Sequence, residues 1–485
     1  MTKMTKSQKI LMILLFAMTV FFALFHLTES PAFNSDEGWY MQSANNLLTT
    51  GMNGLQLAPG YIDRASTYTS VGYPLIYMLA LCYKLIGVGI LQARLLMVFF
   101  LLAFTVISFL LVRRLSGNGL ALMSLLLIST FPPLYGNGKA VMGEMPGLFF
   151  MVLTLYLFNL ITVYPSRKTL LLILTGISAG IFMATKVSFI LFAPALIVAA
   201  IIEWRRGHLS LKDIGLTALS IVAPLAVWLL IKFLPGESIS TILGFYANPS
   251  RVNDITGTVL RNIKTLFSDT STIYTMSMLV IWASALWVRF YRKMRISAEE
   301  TAAFILATLT IASFTRTAGF YRYLLPAQMV ALIFFPGALL TIFETISKKI
   351  TTAKSVAANW VVMAILGVLG LYQLCFHSYV ADSYRSHAVA DMQAYFDSIP
   401  ATTTMFFYNS QGLVPFFHGK NYFQYLILFN KEDWTIGSEN LPILAAGKAD
   451  MVVAGPHSLK DDAAAIFEKY VVVHSFGKID IMKHR

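Results

Sequence analysis

The fold is decided by residues 10–40, ILMILLFAMTVFFALFHLTESPAFNSDEGWY. The first part, Ile10–Leu27, is apolar over the length that a helix needs to cross a bilayer. Two adjacent carboxylates, Asp36 and Glu37, follow shortly after it. Ionisable groups held close to hydrocarbon are costly, and they usually have a function there. The stretch therefore predicts a first membrane span followed by a candidate functional site.

The composition indicates the class of protein. The chain of 485 residues is 57% hydrophobic and 13% charged, whereas soluble domains are about 45–50% apolar and about 25% charged. We therefore predict a polytopic α-helical membrane protein. The net charge of +13 does not indicate a nucleic-acid partner, because Lys and Arg are scattered in small clusters between apolar runs. Cys82 and Cys375 lie in apolar surroundings and indicate neither a disulfide framework nor a Cys-based metal site.

The apolar runs predict about eleven membrane spans. No small-residue cleavage pattern follows the first run, so it is interpreted as an uncleaved span. The lysines before it place the N-terminus in the cytoplasm. The other spans are predicted at Ala93–Val112, Gly119–Tyr135, Met145–Val163, Leu170–Thr185, Val187–Ile202, Ile214–Leu234, Tyr274–Val288, Ala302–Phe314, Pro326–Phe343 and Val356–Phe376.

One more apolar stretch, Val71–Ile86, is ambiguous, and the positive-inside rule decides its interpretation. If this stretch does not cross the membrane, the later Lys and Arg clusters share the cytoplasmic side with the N-terminal lysines. If it crosses, all of these clusters lie outside. We therefore predict an interfacial or re-entrant helix within a long first outer loop, residues 28–91.

Two domains are predicted. Residues 1–376 form a transmembrane catalytic domain, and residues 377–485 form a small extracytoplasmic α/β domain after the last span. The protein is expected in the inner, or cytoplasmic, membrane. Strand-like runs occur at Thr403–Tyr408, Met451–Ala454, Tyr470–His474 and Ile479–Met482, and helical patterns at Tyr384–Ser398 and Leu459–Lys469.

Asp36 and Glu37 have two interpretations. Asn34 and Glu37 have the spacing of a helix capping box, and acids in a first helical turn favour the helix dipole. Alternatively, a carboxylate at a membrane-interface cavity acts as general base toward an acceptor hydroxyl, or binds a divalent metal with a second acid.

Three other ionisable residues are predicted to face the same compartment as Asp36. Glu144 begins a span beside Pro146, so a helix-dipole role stays open next to a role in an acidic site. Lys186 lies at a break between two spans, where it either snorkels or binds a phosphate. Arg322 lies among aromatic residues that are typical of a membrane interface, but a guanidinium there also binds a phosphate bidentately.

Six short motifs follow one another along the chain: Asp36-Glu37-Gly38-Trp39-Tyr40, Gln92-Ala93-Arg94-Leu95, Arg113-Arg114-Leu115, Gly143-Glu144-Met145-Pro146, Thr185-Lys186 and Arg322-Tyr323-Leu324-Leu325-Pro326. Their order resembles that of GT-C glycosyltransferases, in the branch of protein O-mannosyltransferases and lipid A aminoarabinose transferases. The resemblance covers about residues 1–343. Because each motif is short, the specificity of the resemblance lies in the order and the topology of the motifs.

The resemblance implies a GT-C fold and transfer of a sugar from a polyprenyl-phosphate carrier to a glycan, lipid or protein acceptor at the outer membrane face. Asp36 would be the base or acceptor-orienting carboxylate, and Glu144 would complete an acidic site. The two acids would also be the ligands of a divalent cation, with Mg, Mn and Zn equally open. Single displacement would invert the anomeric centre. The residues expected to bind substrate or phosphate are Glu37, Tyr40, Lys186, Arg322 and Tyr323.

Two departures from the family pattern concern the site. Relatives commonly have a Lys-Pro pair before the interfacial helix, whereas this chain has Thr69-Ser70-Val71-Gly72-Tyr73-Pro74. The second-loop acid is often Asp, whereas this chain has the longer Glu144.

A multi-span transporter or flippase of lipid-linked glycans is the alternative function. Its typical signs are ionisable residues in the middle of spans, or inverted repeats with broken helices. Here the strong charges lie at span ends and in outer loops, which favours chemistry at the membrane surface.

Overall fold

The chain forms a bundle of long helices with a small β-sheet at one end, which we call the sheet end. The structure is a computed structural model that describes residues 3–63, 71–233, 240, 254–350, 355–383, 385–427, 435–455 and 467–485. Its helices are α1 Lys6–Leu24, α2 Ser35–Thr50, α3 Tyr73–Ile86, α4 Ile90–Ser129, α5 Pro132–Gly138, α6 Glu144–Ile161, α7 Lys168–Thr185, α8 Phe192–Arg205, α9 Leu211–Phe233, α10 Ile255–Ser268, α11 Thr270–Tyr291, α12 Ala298–Phe314, α13 Leu325–Ile350, α14 Ser355–Ser383, α15 Ala388–Asp397 and α16 Leu441–Ala445.

The bundle confirms the prediction of a polytopic helical membrane protein. Within the described ranges, nine helices are long and apolar enough to cross a membrane. One of them, α4, has 40 residues and bends at Gly117, whose φ of 86° lies in the left-handed region that favours glycine. The bend separates the predicted spans Ala93–Val112 and Gly119–Tyr135. Helix α12 has 17 residues, the lower limit for a span, so the count of eleven stays a prediction.

Two predicted span ends differ from the structure. The span predicted to end at Tyr135 ends instead with α4 at Ser129, and α5 begins at Pro132. Proline has no N–H to continue a helix but fits the first turn of a new one, which explains this break. The last predicted span, Val356–Phe376, is part of α14, which continues through the predicted domain boundary to Ser383.

The first loop is a built structure, as predicted. Helix α2 begins with the capping box: Asn34 Oδ1 accepts from the Asp36 amide at 2.9 Å, and the Asn34 amide donates to Glu37 Oε1 at 3.1 Å. A hairpin of β1 Leu55–Ala58 and β2 Tyr61–Asp63 follows. Helix α3 has 14 residues, a length of about 21 Å. Because the hydrocarbon core is about 30 Å thick, α3 is too short to cross it upright.

A six-stranded mixed sheet forms the C-terminal part and confirms the predicted α/β class. The order is β5-β4-β3-β6-β8-β7, with β3 parallel to both β4 and β6. Four of these strands were predicted from the sequence, whereas β4 and β5 were not. The predicted helix Leu459–Lys469 lies largely outside the described residues. The strands are β3 Met405–Tyr408, β4 Tyr422–Ile427, β5 Thr435–Ile436, β6 Met451–Ala454, β7 Tyr470–Phe476 and β8 Ile479–His484.

The first loop is docked on this sheet by hydrogen bonds that join distant parts of the chain. Gln42 of α2 donates to the Tyr422 hydroxyl at 2.9 Å. The fully buried Gln424 donates to the Gln56 carbonyl at 2.5 Å, and Asn440 donates to the Leu57 carbonyl at 2.9 Å. Since buried polar groups are costly when unpaired, these contacts fix the hairpin and α2 against the sheet.

Two glycines, Gly38 and Gly412, allow α2 and the C-terminal part to pack closely. A Cβ added to Gly38 would lie 2.3 Å from the Gly412 carbonyl oxygen. A Cβ added to Gly412 would lie 2.8 Å from Ser35 Cα. The backbone of α2, immediately after Asp36, is therefore packed directly on the segment after β3.

We expect Gly38→Ala to destabilise the protein by about 1–3 kcal/mol, because the added methyl overpacks a backbone contact that has no flexible side chain to move. The measurement is the unfolding temperature of the purified full chain in detergent. Gly136→Ala is the control, because a Cβ there meets nothing within 4 Å. Equal unfolding temperatures for the two variants would contradict the close packing of α2 on Gly412.

Candidate active site

The segment that carries Asp36 is held by a fully buried ion pair between Glu37 and Arg94. Arg94 Nη2 lies 2.8 Å from Glu37 Oε1, and Arg94 Nε donates to Glu37 Oε2 at 3.1 Å. Both side chains have 0% exposure. Arg94 Nη1 also donates to the carbonyls of Leu27 and Pro31, at 2.8 and 2.9 Å. One guanidinium of α4 thus joins the exit of α1 to the start of α2.

The remaining acceptor capacity of Glu37 is used by backbone amides. Glu37 accepts from the Asn34 amide at 3.1 Å and from the Val141 amide at 2.9 Å. Both carboxylate oxygens are therefore engaged by the protein itself, and the capping-box interpretation describes its geometry. A role of Glu37 in substrate or phosphate binding stays a prediction. Its contacts in the structure orient the helix on which Asp36 lies.

A second buried cation, Lys139, holds the segment between α1 and α2. Lys139 follows α5 and donates to the Phe25 carbonyl at 2.9 Å. Burial, together with the charge of Arg94, lowers the pKa of Lys139 to about 8. The carbonyls between α1 and α2 are therefore bound by two buried cations, which fixes the first loop on the bundle.

Asp36 differs from its neighbour Glu37 in exposure and in partner. Its side chain is 36% exposed, and its Oδ2 accepts from Arg322 Nη2 at 2.8 Å. Successive residues on a helix point about 100° apart, so Glu37 is directed into the protein while Asp36 stays partly exposed. Asp36 is therefore the accessible carboxylate of the pair.

Arg322 lies between the two predicted acids. It belongs to a 3-10 turn, Tyr321–Leu324, immediately before α13. Its Nη2 binds Asp36, and its Nε lies 4.0 Å from Glu144 Oε1. The Nε–H is buried and has no acceptor among the residues that the structure describes. Arg322 therefore offers one unused donor, which lies 4.0 Å from the Glu144 carboxylate.

Glu144 and Lys186 form the other side of the cluster. Glu144 is the first residue of α6 and is 2% exposed. Its Oε1 accepts a short hydrogen bond from Lys186 Nζ. Lys186 lies in extended backbone between α7 and the next 3-10 turn, and its side chain is partly exposed. The extended backbone at the break between the two spans thus places the Lys186 ammonium against the Glu144 carboxylate.

Two tyrosines complete the cluster. Tyr323 presents its ring to both cations: Lys186 Nζ lies 4.7 Å and Arg322 Cζ 5.6 Å from the ring centre, distances at which cation–π attraction acts. Burial and the nearby Asp36 carboxylate raise the pKa of the Tyr40 phenol well above its usual range. Tyr40 therefore stays protonated at neutral pH and is available as a neutral hydrogen-bond donor.

The structure thus brings Asp36, Tyr40, Glu144, Lys186, Arg322 and Tyr323 together at the sheet end, whereas Glu37 is directed into the protein. The acids and cations balance, since Asp36 binds Arg322 and Glu144 binds Lys186. Such a site can hold a phosphate through its cations and accept a proton on its accessible acid.

The two acids predicted to bind a divalent cation, Asp36 and Glu144, are both paired with cationic side chains in this arrangement. Asp36 and Glu144 each already share an oxygen with a cationic side chain. No group of three or more His, Cys, Asp or Glu side chains that could hold a metal occurs in the described parts of the chain. Hard divalent ions prefer several oxygen ligands. The dependence on a divalent metal stays a prediction.

Two contributors to the site geometry were missed by the sequence analysis. Arg94 stood in a quoted motif, but its pairing with Glu37 needs two residues that are distant in the chain to meet. Met142 contacts Arg322 through its thioether, with Sδ 3.1 Å from Nη1. Its position two residues before Glu144 was the only available signal.

Part of the chain is similar to a known protein family. Residues 74–228 match the family described as dolichyl-phosphate-mannose-protein mannosyltransferase. No curated protein matches the chain.

Solved structures resemble the chain over almost its whole length. The crystal structure of ArnT from Cupriavidus metallidurans bound to undecaprenyl phosphate has a TM-score of 0.67 at 15% identity, and the match covers 97% of each chain. The archaeal oligosaccharyltransferase AglB from Archaeoglobus fulgidus, in complex with an inhibitory peptide and a dolichol-phosphate, has a TM-score of 0.58 at 12% identity. That match covers 93% of this chain and 69% of AglB. The predicted GT-C-like fold is confirmed, and the likeness extends beyond residue 343 into the sheet.

We expect Arg94→Met to lower the free energy of unfolding by about 3–5 kcal/mol, because it leaves the Glu37 carboxylate buried without a counter-charge. Adding Glu37→Gln should recover part of this loss, since it removes the uncompensated charge. Unfolding in detergent measures both, and the exposed Arg292→Met is the control. Parental stability of Arg94→Met would contradict the role assigned to the pair.

Proposed function

We propose that this protein is an integral-membrane glycosyltransferase that moves a sugar from a polyprenyl-phosphate carrier to an acceptor at the outer membrane face. The observation that carries the proposal is the meeting of Asp36, Glu144, Lys186 and Arg322, which come from four separate segments, at one end of the bundle. Similarity of fold to ArnT bound to undecaprenyl phosphate supports it. The sugar is a hexose or a pentose, and the acceptor is a protein, a lipid or a glycan of the cell envelope.

The donor phosphate binds at Arg322 and Lys186. These two side chains contact the same Tyr323 ring, and Arg322 Nε–H has no acceptor among the described residues. A phosphate oxygen satisfies that buried donor, which otherwise costs about 1–3 kcal/mol. When the phosphate also binds Arg322 Nη2, it competes with Asp36 for that nitrogen. Donor binding therefore loosens the Asp36–Arg322 pair and frees the carboxylate.

Asp36 then acts as the general base. Its carboxylate takes the proton of the acceptor hydroxyl, and the acceptor oxygen attacks the anomeric carbon. The bond between that carbon and the phosphate oxygen breaks, and polyprenyl phosphate leaves with the electron pair. Because one displacement occurs, the configuration at the anomeric carbon is inverted.

Negative charge grows on the phosphate as the bond breaks, since a diester with one charge becomes a monoester with up to two. Lys186 and Arg322 are placed to stabilise this growing charge. Glu144, which is buried and bound to Lys186, holds the ammonium in position. Tyr40 remains a neutral donor beside Asp36.

The same proposal includes the orientation. The N-terminus lies in the cytoplasm, and the site and the sheet lie on the outer side of the inner membrane, in accord with the distribution of Lys and Arg. The charged cluster lies where α2, α6 and α13 begin rather than in the middle of spans. This placement favours surface chemistry over the alternative of a transporter or flippase.

We expect Asp36→Asn to reduce product at least about 100-fold, because an amide cannot accept the hydroxyl proton. The measurement is mass analysis of glycans and glycolipids from cells that lack the chain, complemented with the parental or the variant protein. Asp391→Asn is the matched control, since Asp391 is an exposed acid in the first turn of α15. Folded Asp36→Asn protein that restores the parental products would contradict the base role.

We expect Arg322→Ala to weaken binding of undecaprenyl phosphate at least about tenfold, because a charge-assisted hydrogen bond contributes about 1.5–3 kcal/mol. Binding is titrated with the purified full chain in detergent. Arg316→Ala is the control, because Arg316 is exposed and lies in the segment just before Arg322. Equal affinities of the two variants would contradict phosphate binding by Arg322.

A further inference from the structure

Helix α10 docks on the protein through a narrow face centred on Asn262. Its buried residues, Thr258, Asn262 and Leu266, follow at intervals of four and therefore lie on one side of the helix. The other side exposes Leu260 and Phe267. Asn262 is 2% exposed and is the only one of the three buried residues that carries a carboxamide. The docking of α10 thus has one strongly polar contact at its centre.

The Asn262 carboxamide binds the backbone that follows α12. Its Nδ2 donates to the carbonyls of Phe314, Thr315 and Thr317, at 3.1, 3.2 and 2.9 Å. The last carbonyls of a helix have no partner within the helix, and buried carbonyls are costly when they stay unpaired. Asn262 therefore caps the end of α12 from a different helix.

The capped segment leads directly to Arg322. It turns at Gly319, whose φ of 83° is in the left-handed region, and whose added Cβ would lie 2.8 Å from Asn262 Oδ1. The turn then enters the 3-10 segment Tyr321–Leu324. The residues before the glycine and the glycine itself thus lie against the same carboxamide.

Packing joins the same elements a second time. Leu266 of α10 shares a buried cluster with Phe314 and Leu324, and Tyr323 packs against this cluster. Tyr323 and Leu324 are the two residues that follow Arg322. The backbone on which the guanidinium stands is therefore held by α10 on both the polar and the apolar side.

We infer that Asn262 is a positioning residue for Arg322. Asn262 fixes the segment from Phe314 to Gly319 and thereby the position of the Arg322 guanidinium in the phosphate site. Asn262 acts through backbone carbonyls and is not assigned a contact with the substrate. The inference rests on the proposed function, since it assigns Asn262 to the binding of the carrier phosphate.

The test is binding of undecaprenyl phosphate by the purified full chain, with Asn262→Ala compared with Asn159→Ala. Asn159 is a matched control because its carboxamide also bridges helices, accepting from Arg114 at 2.9 Å and donating to Glu299 at 3.0 Å. We expect Asn262→Ala to raise the dissociation constant about fivefold or more and Asn159→Ala to leave it unchanged. A parental dissociation constant for folded Asn262→Ala would overturn the inference.

A double-mutant cycle separates positioning from a general loss of structure. If Asn262 acts through Arg322, adding Asn262→Ala to Arg322→Ala weakens binding no further. The same fold-weakening in both backgrounds would overturn the inference. Should Asn262→Ala not fold, Asn262→Ser, which keeps one donor, should give a smaller rise, and parental binding by it would also overturn the inference.

The outcomes also distinguish this inference from the proposed function. Parental binding by Arg322→Ala contradicts the phosphate role of Arg322 and hence the proposed function. Weak binding by Arg322→Ala together with parental binding by the Asn262 variants contradicts the positioning role alone.

Discussion

The fully buried ion pair between Arg94 and Glu37 is the constraint on which the site depends. Taking two charges out of water is costly, and their attraction offsets that cost only when the remaining donors and acceptors are also paired. Here the backbone supplies those partners: the carbonyls of Leu27 and Pro31 for Arg94, and the Val141 amide for Glu37. The pair therefore ties α4 to the exit of α1, the start of α2 and the approach to α6. Asp36 and Glu144 stand on the two helices that it aligns.

The charged side chains of the cluster are paired, acid with base, and do not form a pocket of a single charge sign. Each acid has a cation within contact, and Tyr323 adds a ring face to both cations. Such balance lets the ionised groups exist beside a membrane without a large desolvation cost. Because Arg322 Nη2 is already paired with Asp36, an anionic ligand that binds this nitrogen has to displace the Asp36 carboxylate. In the proposed function, the donor phosphate competes with Asp36 for Arg322, and this competition contributes to selectivity for phosphate.

Much of this site was predictable from sequence, because topology and charge placement decide which residues share a face. The polytopic class, the capping box of α2 and the short α3 all follow from hydrophobic length, spacing and the positive-inside rule. Other features depend on contacts between distant segments and leave no local pattern. Strand β4 was missed because a polar residue, Gln424, occupies a buried position, and its partner lies in the first loop. The contacts of Asn262 were equally hidden, since its partners are backbone carbonyls, which carry no sequence signal.

The contact of α2 with the C-terminal part also determines when, during translation, α2 acquires its packing surface. Gln42 and Tyr422 are 380 residues apart, and Gly38 meets Gly412. In the described parts of the chain the last long helix ends at Ser383, so the candidate membrane spans are all translated before the ribosome reaches Gly412 and Tyr422. A nascent chain that ends between Ser383 and Gly412 already contains the charged side chains of the cluster. It still lacks the surface on which α2 packs. The segment Ser35–Gly38 therefore acquires its packing surface only after Gly412 and Tyr422 have been translated.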